Sequence, residues 1–184
     1  DQASDVDEPT PARVPERVGD IQLVSVPMTH AEVAAHYDGF SNGALWPNYH
    51  GGIVAPVYHR SQFMAHREIN ARFADLVAET APPGARVWVH DYQLQLVPAL
   101  LRELRPDLRI GFFLHIPFPA SELLRILPRR DEVLRGLLGA DLVAFQTHGD
   151  LQRFRASLLR LLGMPSQMDR VVAQGHSTRL DALP

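Results

Sequence analysis

The sequence predicts an α/β fold in which a parallel sheet is covered by helices on both faces. Three short apolar runs, at residues 87–90, 109–115 and 141–145, alternate with longer segments of helical periodicity. Uninterrupted apolar runs of this length are typical of parallel strands buried on both sides, because a half-exposed strand would alternate with polar residues. Strands that alternate with helices predict strand–helix–strand units.

The N-terminal part of the chain predicts little regular structure before the first helix. Residues 1–20 are acidic and proline-rich with few apolar side chains, which predicts a flexible lead-in. Residues 21–26 form a short β-type run that Pro27 ends. Thr29, followed three residues later by Glu32, has the spacing of a capping box and predicts that a helix begins there.

The rest of the chain continues the alternation after one irregular segment. Residues 36–52 are dense in aromatic, glycine and amide side chains and show no clear period. The spacing of apolar residues predicts helices at residues 60–80, 94–104, 121–138 and 149–162, and weaker signals predict strands at residues 170–173 and 177–180.

The composition excludes several classes of protein. A net charge of −3 and a pI near 6.3 argue against a nucleic-acid or membrane-surface partner, which would require a basic excess. The chain has no cysteine, so thiol chemistry and cysteine-ligated metals are excluded. The N-terminus shows no secretory signal, and no apolar run approaches the roughly 20 residues that cross a bilayer. We therefore expect a soluble, cytoplasmic protein.

Polar side chains follow each of the three predicted strands. Asp91 comes directly after the first, His115 ends the second, and residues 146–148 follow the third. In open parallel sheets, ligands bind beyond the carboxyl ends of the strands. Neighbouring strands lie about 4.8 Å apart, so these three turns are expected to line one pocket if the strands are neighbours.

Asp91 and His115 each have a structural explanation as well as a functional one. Asp91 at a strand–helix junction is either a helix N-cap or a carboxylate that accepts hydrogen bonds from sugar hydroxyls. His115 is either bonded to neighbouring backbone or held for binding by the rigid loop that contains Pro117 and Pro119. On the residues alone, both alternatives stay open.

Other kinds of site find little support. The nine histidines show no H-E-x-x-H motif and no repeated ligand spacing, so we expect no metal. Glu122 with Asp91 would resemble a glycosidase carboxylate pair, but Glu122 falls in the first turn of a predicted helix, where the helix dipole favours it anyway. No glycine-rich dinucleotide or P-loop motif follows a strand, so we expect no cofactor. Arg129 and Arg130 either hold a phosphate or begin a solvated helix.

Four long segments resemble, in order, the trehalose-6-phosphate synthases. They are HYDGFSNGALWPNYHG, VWVHDYQLQLVP, RIGFFLHIPFPASELLRILP and LLGADLVAFQT, within residues 20–160. Four ordered motifs are far more specific than any single short pattern. The resemblance implies a retaining glycosyltransferase of two Rossmann-like domains, the GT-B fold of glycosyltransferase family 20. Residues 21–184 would be an incomplete acceptor-binding domain from the N-terminal half, and the nucleotide-sugar domain would be absent from this chain.

The resemblance also implies a reaction and roles for four residues. Glucose would pass from UDP-glucose or GDP-glucose to glucose 6-phosphate, with retention, giving trehalose 6-phosphate. Tyr37 and Trp46 would contact the acceptor's phosphate. Asp91 would bind acceptor hydroxyls near the reaction centre, and His115 would approach the transferred glucose. Neither a protein nucleophile nor a metal is implied, since the donor's own phosphate oxygen would take the acceptor's proton.

Some expectations stay open at this stage. From the residues alone, Tyr37 and Trp46 are more readily explained as core aromatics, and their nine-residue spacing does not place them on one face of an α-helix. The family's N-terminal strand and glycine loop, with an arginine for the phosphate, are not seen, so we expect a fragment that is inactive alone. The alternatives are a non-catalytic, sugar-phosphate-binding regulatory subunit and a synthase with another phosphorylated acceptor. The sequence also leaves the choice of nucleotide and assembly into a homo-oligomer open.

Overall fold

The structure, a computed structural model, describes residues 16–52 and 55–184. Its strands in these residues are β1 (Glu16–Val18), β2 (Ile21–Leu23), β3 (Arg86–His90), β4 (Arg109–Leu114), β5 (Leu142–Phe145), β6 (Arg170–Ala173) and β7 (His176–Ala182). Its helices are α1 (His30–Val33), α2 (Trp46–Tyr49), α3 (Arg60–Thr80), α4 (Val97–Leu104), α5 (Ser121–Leu124), α6 (Arg130–Leu137) and α7 (His148–Leu162), with a π-helical segment at Ala34–Leu45 and a 3₁₀ turn at Tyr92–Leu94.

A five-stranded sheet forms the centre of the fold, with strand order β3-β4-β5-β7-β6. All neighbouring pairs are parallel except β6 and β7, which pair antiparallel. This confirms the predicted α/β fold with a Rossmann-like, mostly parallel sheet flanked by helices. The strands predicted from the three apolar runs are direct neighbours, so their carboxyl ends meet along one edge of the sheet. The weak signals in the tail correspond to β6 and β7.

Helix boundaries follow the predictions where the apolar spacing is strong and depart from them at prolines. Helix α3 spans the predicted residues. The helix expected from residue 94 begins as a 3₁₀ turn and becomes α4 only at Val97, directly before Pro98. The stretch at residues 121–138 is divided into α5 and α6 around Pro128, which has no backbone N–H to continue a helix.

Residues 16–20 are more ordered than the composition of the lead-in predicts. Residues 1–15 of the expected lead-in lie outside the described residues. Strands β1 and β2 form a hairpin in which Val18 lies opposite Ile21. Gly19, with a φ of +62°, allows the tight turn between them. The lead-in was predicted to run to residue 20, but the hairpin includes its last five positions, because the turn sequence permits local pairing.

The capping box predicted at Thr29 is confirmed. The Thr29 hydroxyl accepts a hydrogen bond from the Glu32 backbone N–H at 3.1 Å, and the Glu32 carboxylate accepts one from the Thr29 N–H at 2.8 Å. Glu32 also pairs with Arg72 on α3, and this hydrogen bond is the largest of the effects that lower the pKa of Glu32 to about 2. The start of α1 is therefore attached to α3.

The apolar core lies between the sheet and the helices. Its largest fully buried side chains include five phenylalanines: Phe40, Phe112, Phe118, Phe145 and Phe154. Phe40 comes from the π-helical segment and packs edge-on against Phe63 of α3, with ring centroids 5.1 Å apart. The irregular segment of the sequence is thus part of the core and not a surface loop. Among the described helices, none combines the length and the apolar character needed to span a membrane.

Candidate active site

The backbone of Asp91 is strained at the carboxyl end of β3. Its φ of +69° and ψ of 171° lie in a region that only glycine adopts readily. Such a conformation costs on the order of 1–3 kcal/mol and persists only where the surrounding structure imposes it. Strain of this kind concentrates at binding and catalytic sites, so the conformation of Asp91 is itself an argument for function.

The side chain of Asp91 reaches across to the next strand. Its Oδ1 accepts a hydrogen bond from the backbone N–H of His115 at 3.2 Å, while its own backbone N–H donates to the Phe113 carbonyl at 2.8 Å. The carboxylate makes no capping bond to the 3₁₀ turn that follows, so the N-cap alternative is wrong. The structure therefore brings Asp91 and His115 together, as expected for neighbouring strand ends.

The ring of His115 is paired with a histidine that the sequence argument did not select. Nε2 of His115 lies 2.8 Å from Nδ1 of His90, and the two rings stack at a centroid distance of 5.1 Å with 23° between their planes. The alternative in which the His115 ring bonds to neighbouring backbone is therefore wrong. The register explains the pair: His90 lies opposite Phe113, so His115, two residues further on, is on the same face of the sheet as His90.

A buried carboxylate holds the proline-rich loop that follows His115. Asp150, on α7 and only 5% exposed, accepts a hydrogen bond from the Phe118 N–H at 3.0 Å. The Thr147 hydroxyl and the Arg153 guanidinium also donate to this carboxylate. The turn after β5 thus contributes to the same edge of the sheet, by fixing the loop between Pro117 and Pro119.

Tyr37 and Trp46 are both exposed and belong to one continuous helical stretch. They are 45% and 42% exposed, so the core alternative is wrong for both. Nine residues are roughly two and a half turns of an α-helix, which would place the rings on opposite faces. In the π-helical segment the Trp46 N–H bonds to the Ser41 carbonyl five residues earlier, so each turn holds more residues than an α-helical turn and nine positions fall nearer to two whole turns. The wider helix therefore brings the two aromatic side chains towards one face.

A second contact joins this helical stretch to the end of β3. The Tyr92 hydroxyl donates a hydrogen bond to Oδ1 of Asn42 at 2.7 Å. Burial raises the pKa of the Tyr92 phenol, and the nearby ionisable groups of Tyr37 and Asp91 raise it further. The phenol therefore stays protonated, as donation to Asn42 requires. The effect of Tyr37 on the pKa of Tyr92 places Tyr37 near the turn that follows β3.

Trp46 is held by its own local contacts. Its ring stacks on that of His50 at a centroid distance of 4.0 Å, and Nδ1 of His50 lies 2.8 Å from the Trp46 carbonyl. A carbonyl can only accept, so Nδ1 of His50 carries the hydrogen. His50 and Pro117 line a cavity of about 380 Å³ beside the proline-rich loop. Among the described residues, no hydrogen bond or ring contact joins Trp46 to Asp91 or His115.

Glu122 and Arg129, which the sequence offered for a glycosidase pair and for a phosphate site, are both engaged in other ion pairs. Glu122 is exposed and bonds to Arg160 of α7 at 2.6 Å. Arg129 pairs with Glu132 at 3.0 Å at the exposed start of α6. In the described part of the chain no group of three or more histidine and carboxylate side chains is placed to hold a metal ion. The expected absence of a metal or cofactor remains a prediction.

Comparison with known proteins points to one family. The model of glycosyltransferase family 20 matches residues 2–184. The trehalose-6-phosphate synthase of Mycolicibacterium gilvum is 54% identical over 159 residues, which are 86% of this chain and 32% of that protein. The synthase of Mycolicibacterium vanbaalenii is 50% identical over 91% of this chain and 34% of its own length. The chain therefore spans about a third of the length of the curated relatives it matches.

Solved structures agree with the sequence comparison. A UDP-forming α,α-trehalose-phosphate synthase from Burkholderia xenovorans superposes with a TM-score of 0.90 at 35% identity, over 97% of this chain and 40% of that one. A structure from E. coli with UDP-2-fluoro glucose bound gives a TM-score of 0.87 at 31% identity, over 93% of this chain and 38% of that one. With a family match along almost its whole length, this chain belongs to glycosyltransferase family 20.

Proposed function

We propose that the protein containing this chain transfers glucose from a nucleotide-glucose donor to glucose 6-phosphate, with retention, to form trehalose 6-phosphate. The single observation that carries the proposal is the contact between Asp91 and His115 at the carboxyl ends of adjacent parallel strands. That is the position at which open α/β sheets bind their ligands. The relatives named above, called trehalose-6-phosphate synthases, support the choice of reaction.

The four predicted site residues take different parts in this proposal. Tyr37 and Trp46 offer one phenol O–H and one indole N–H to the acceptor's phosphate, together with apolar surface beside the sugar. Oδ2 of Asp91 has no hydrogen-bond donor among the described residues, so it is available to acceptor hydroxyls. His115 faces the glucose that is transferred. Each role follows the family resemblance. The exposure of the Tyr37 and Trp46 rings supports their role in binding the acceptor.

The chemistry asked of these residues is positioning and not nucleophilic attack. In the proposed reaction the sugar–phosphate bond of the donor breaks while the acceptor hydroxyl approaches on the same face. The leaving phosphate oxygen takes the proton from that hydroxyl, so no protein base is required. Asp91 and His115 then hold the acceptor hydroxyl and the donor sugar in position and stabilise the charge that develops. Donor contacts with the nucleotide are assigned to a part of the protein outside this chain.

The test is an assay of the full-length protein with UDP-glucose and, separately, GDP-glucose in the presence of glucose 6-phosphate. We expect trehalose 6-phosphate, identified by its mass and by the α-configuration of both anomeric carbons in its NMR spectrum, which at the donor's carbon is the retained one. Glycerol phosphate and a cyclitol phosphate serve as competing acceptors. Turnover with one of them alone would support a synthase of different specificity, and binding of glucose 6-phosphate without turnover would support a regulatory subunit.

A further inference from the structure

The imidazoles of His90 and His115 share one hydrogen bond. Nδ1 of His90 and Nε2 of His115 are 2.8 Å apart, which is a hydrogen-bond distance. Only one hydrogen can lie between two nitrogens at that separation, so one ring donates and the other accepts. In either direction Nε2 of His115 is occupied by His90. Nδ1 is then the ring nitrogen of His115 that remains for a ligand.

Aromatic neighbours brace both rings of the pair. Trp88 meets His90 edge-on at a centroid distance of 6.0 Å, and Phe113 lies 4.7 Å from His115. The Trp88 ring can occupy its place because position 111 on β4 is glycine: a Cβ there would come within 2.1 Å of two ring carbons. The orientation of the histidine pair thus depends on packing across β3 and β4.

Two residues in sequence at the end of β3 therefore hold His115 at two points. Oδ1 of Asp91 binds its backbone N–H, and Nδ1 of His90 binds its ring. A side chain held at both backbone and ring loses most of its rotational freedom before a ligand arrives. Pre-organisation of this kind is what a binding group needs in order to meet its ligand without further ordering.

We propose that His90 is a positioning residue, which acts through His115 and makes Nδ1 of His115 the nitrogen that meets the sugar. This inference rests on the proposed function for the part played by His115. It goes beyond that function in naming a further residue and in assigning the nitrogen used. His90 itself touches His115 and not the substrate.

Substitutions that mimic one nitrogen at a time test the proposal in the full-length protein. An asparagine amide occupies roughly the place of imidazole Nδ1, whereas a glutamine amide reaches that of Nε2. We expect His90→Asn to keep kcat within about threefold of the wild type, while His90→Gln and His90→Ala lower kcat about tenfold, because a loosened His115 reduces productive orientation. The KM for glucose 6-phosphate is expected to change by less than about twofold in all three. Equal losses in the three variants, or no loss in His90→Ala, would overturn the proposal.

The complementary substitutions at position 115 separate the two nitrogens of the second ring. His115→Asn keeps a polar group at the place of Nδ1, and His115→Gln keeps one at the place of Nε2. Since Nδ1 is assigned to the sugar, His115→Asn should retain about tenfold more activity than His115→Gln. The reverse ranking would contradict the assignment.

A spectroscopic measurement distinguishes failure of this inference from failure of the proposed function. Long-range ¹⁵N–¹H spectra of histidine-labelled full-length protein report which ring nitrogen of His115 carries hydrogen. We expect one tautomer in the wild type and in His90→Asn, and a mixture in His90→Ala. The exposed His59→Ala serves as the control and should leave the His115 signals unchanged. An unchanged tautomer in His90→Ala would refute the pairing even if the enzyme is active, and a wild type that turns over no substrate would refute the function while the pairing stands.

Discussion

At the scale of single residues, the site combines a strained backbone with side chains held by specific partners. Asp91 adopts a conformation that a non-glycine residue enters only at a cost, and the bond from its Oδ1 to the His115 N–H ties that conformation to the neighbouring strand. The same carboxylate leaves Oδ2 for a ligand. Strain, support and an available acceptor thus meet in one residue, which makes it the most informative position for substitution.

Replacing Asp91 by asparagine should damage activity without damaging the fold. The amide side chain would retain an acceptor oxygen for His115 but lose the negative charge, and hydrogen bonds to charged groups are worth about 1.5–3 kcal/mol. We expect kcat/KM for glucose 6-phosphate to fall about tenfold to a hundredfold, with the free energy of unfolding changed by less than about 0.5 kcal/mol. Steady-state kinetics and urea unfolding measure the two effects. Asp75→Asn, on an exposed position of α3, is the matched control, and full activity of Asp91→Asn would contradict the assigned role.

Tyr37→Phe should weaken the binding of the acceptor only when the acceptor carries a phosphate. The substitution removes one hydroxyl and keeps the ring, so a lost bond to a charged phosphate predicts an increase of about tenfold in the KM for glucose 6-phosphate. With unphosphorylated glucose as acceptor, the variant and the wild type should have similar kcat/KM. An equal loss with both acceptors would show that Tyr37 does not contact the phosphate.

At the scale of elements, the π-helical segment is fixed to α3 by a buried pair of histidines. Nδ1 of His36 lies 3.1 Å from Nδ1 of His66, the rings stack, and the two side chains are 4% and 0% exposed. The pair lies next to Phe40 in the core and adjoins Tyr37 along the chain. Attachment of this segment to α3 therefore sets the position of Tyr37, an aromatic residue of the candidate site.

The buried pair predicts a loss of stability in mild acid. Burial lowers the pKa of His36 to about 4, and burial followed by the charge of His36 lowers the pKa of His66 to about 3. Below pH 6.5 the unfolded chain binds protons that the folded chain does not, so the free energy of unfolding falls as the pH drops. The expected loss is about 1.5 kcal/mol for each histidine between pH 6.5 and 5.

Urea unfolding of the wild type and of His66→Leu between pH 6.5 and 5 checks this prediction. The variant should be less stable at pH 7, because His36 loses its partner, but its stability should depend less steeply on pH. His148→Ala, at an exposed position on α7, should keep the steep dependence of the wild type. Identical slopes for wild type and His66→Leu would show that the buried pair does not control acid stability.

The crossing of Trp88 over Gly111 predicts a coupled effect of two substitutions. Gly111→Ala places a Cβ about 2.1 Å from the Trp88 ring, and overpacking of this kind typically costs about 1–3 kcal/mol. Replacing the half-exposed Trp88 by alanine removes the obstacle, so the double variant should be more stable than Gly111→Ala alone. A double-mutant cycle from unfolding free energies measures this coupling, and simple additivity would contradict the packing described here.

At the scale of the whole molecule, the sheet order places three strand ends side by side, and the chain represents about a third of the length of its curated relatives. The residues gathered at this edge offer a carboxylate, imidazoles and aromatic rings. A phosphorylated acceptor also needs cationic partners, which bind phosphate most strongly. In the proposed function, these partners and the recognition of the nucleotide come from the rest of the protein.

A chimera tests whether acceptor binding and nucleotide recognition belong to different parts of the protein. Residues 21–184 of this chain, placed in the UDP-forming relative from Burkholderia xenovorans, should leave the donor preference of that relative unchanged. Introducing Tyr37→Phe in the chimera should raise the KM for glucose 6-phosphate about as much as in the protein of origin. The measurement is kcat/KM for UDP-glucose and GDP-glucose, with the unmodified relative as control. A change of donor preference would show that this chain helps to read the nucleotide.

Features with a local cause were predictable from the sequence. The apolar runs of β3, β4 and β5, the amphipathic spacing of α3 and the capping box at Thr29 all depend on residues near one another along the chain. The positions of Asp91 and His115 at strand ends followed from the same runs, because a strand ends where its apolar residues end. Their contact also followed, once the strands were taken as neighbours.

Features that depend on distant partners were decided only by the tertiary structure. The π-helical geometry that turns Tyr37 and Trp46 towards one face is stabilised by packing on α3. The spacing of apolar residues in this segment shows no period that would predict it. The partnership of His90 with His115 depends on the register between β3 and β4, since a shift of one residue would turn the two rings to opposite faces. Sequence by itself therefore determined the fold class and the strand-end residues, through local periodicity. Register and long-range packing determined which side chains meet, because these are set by elements far apart in the chain.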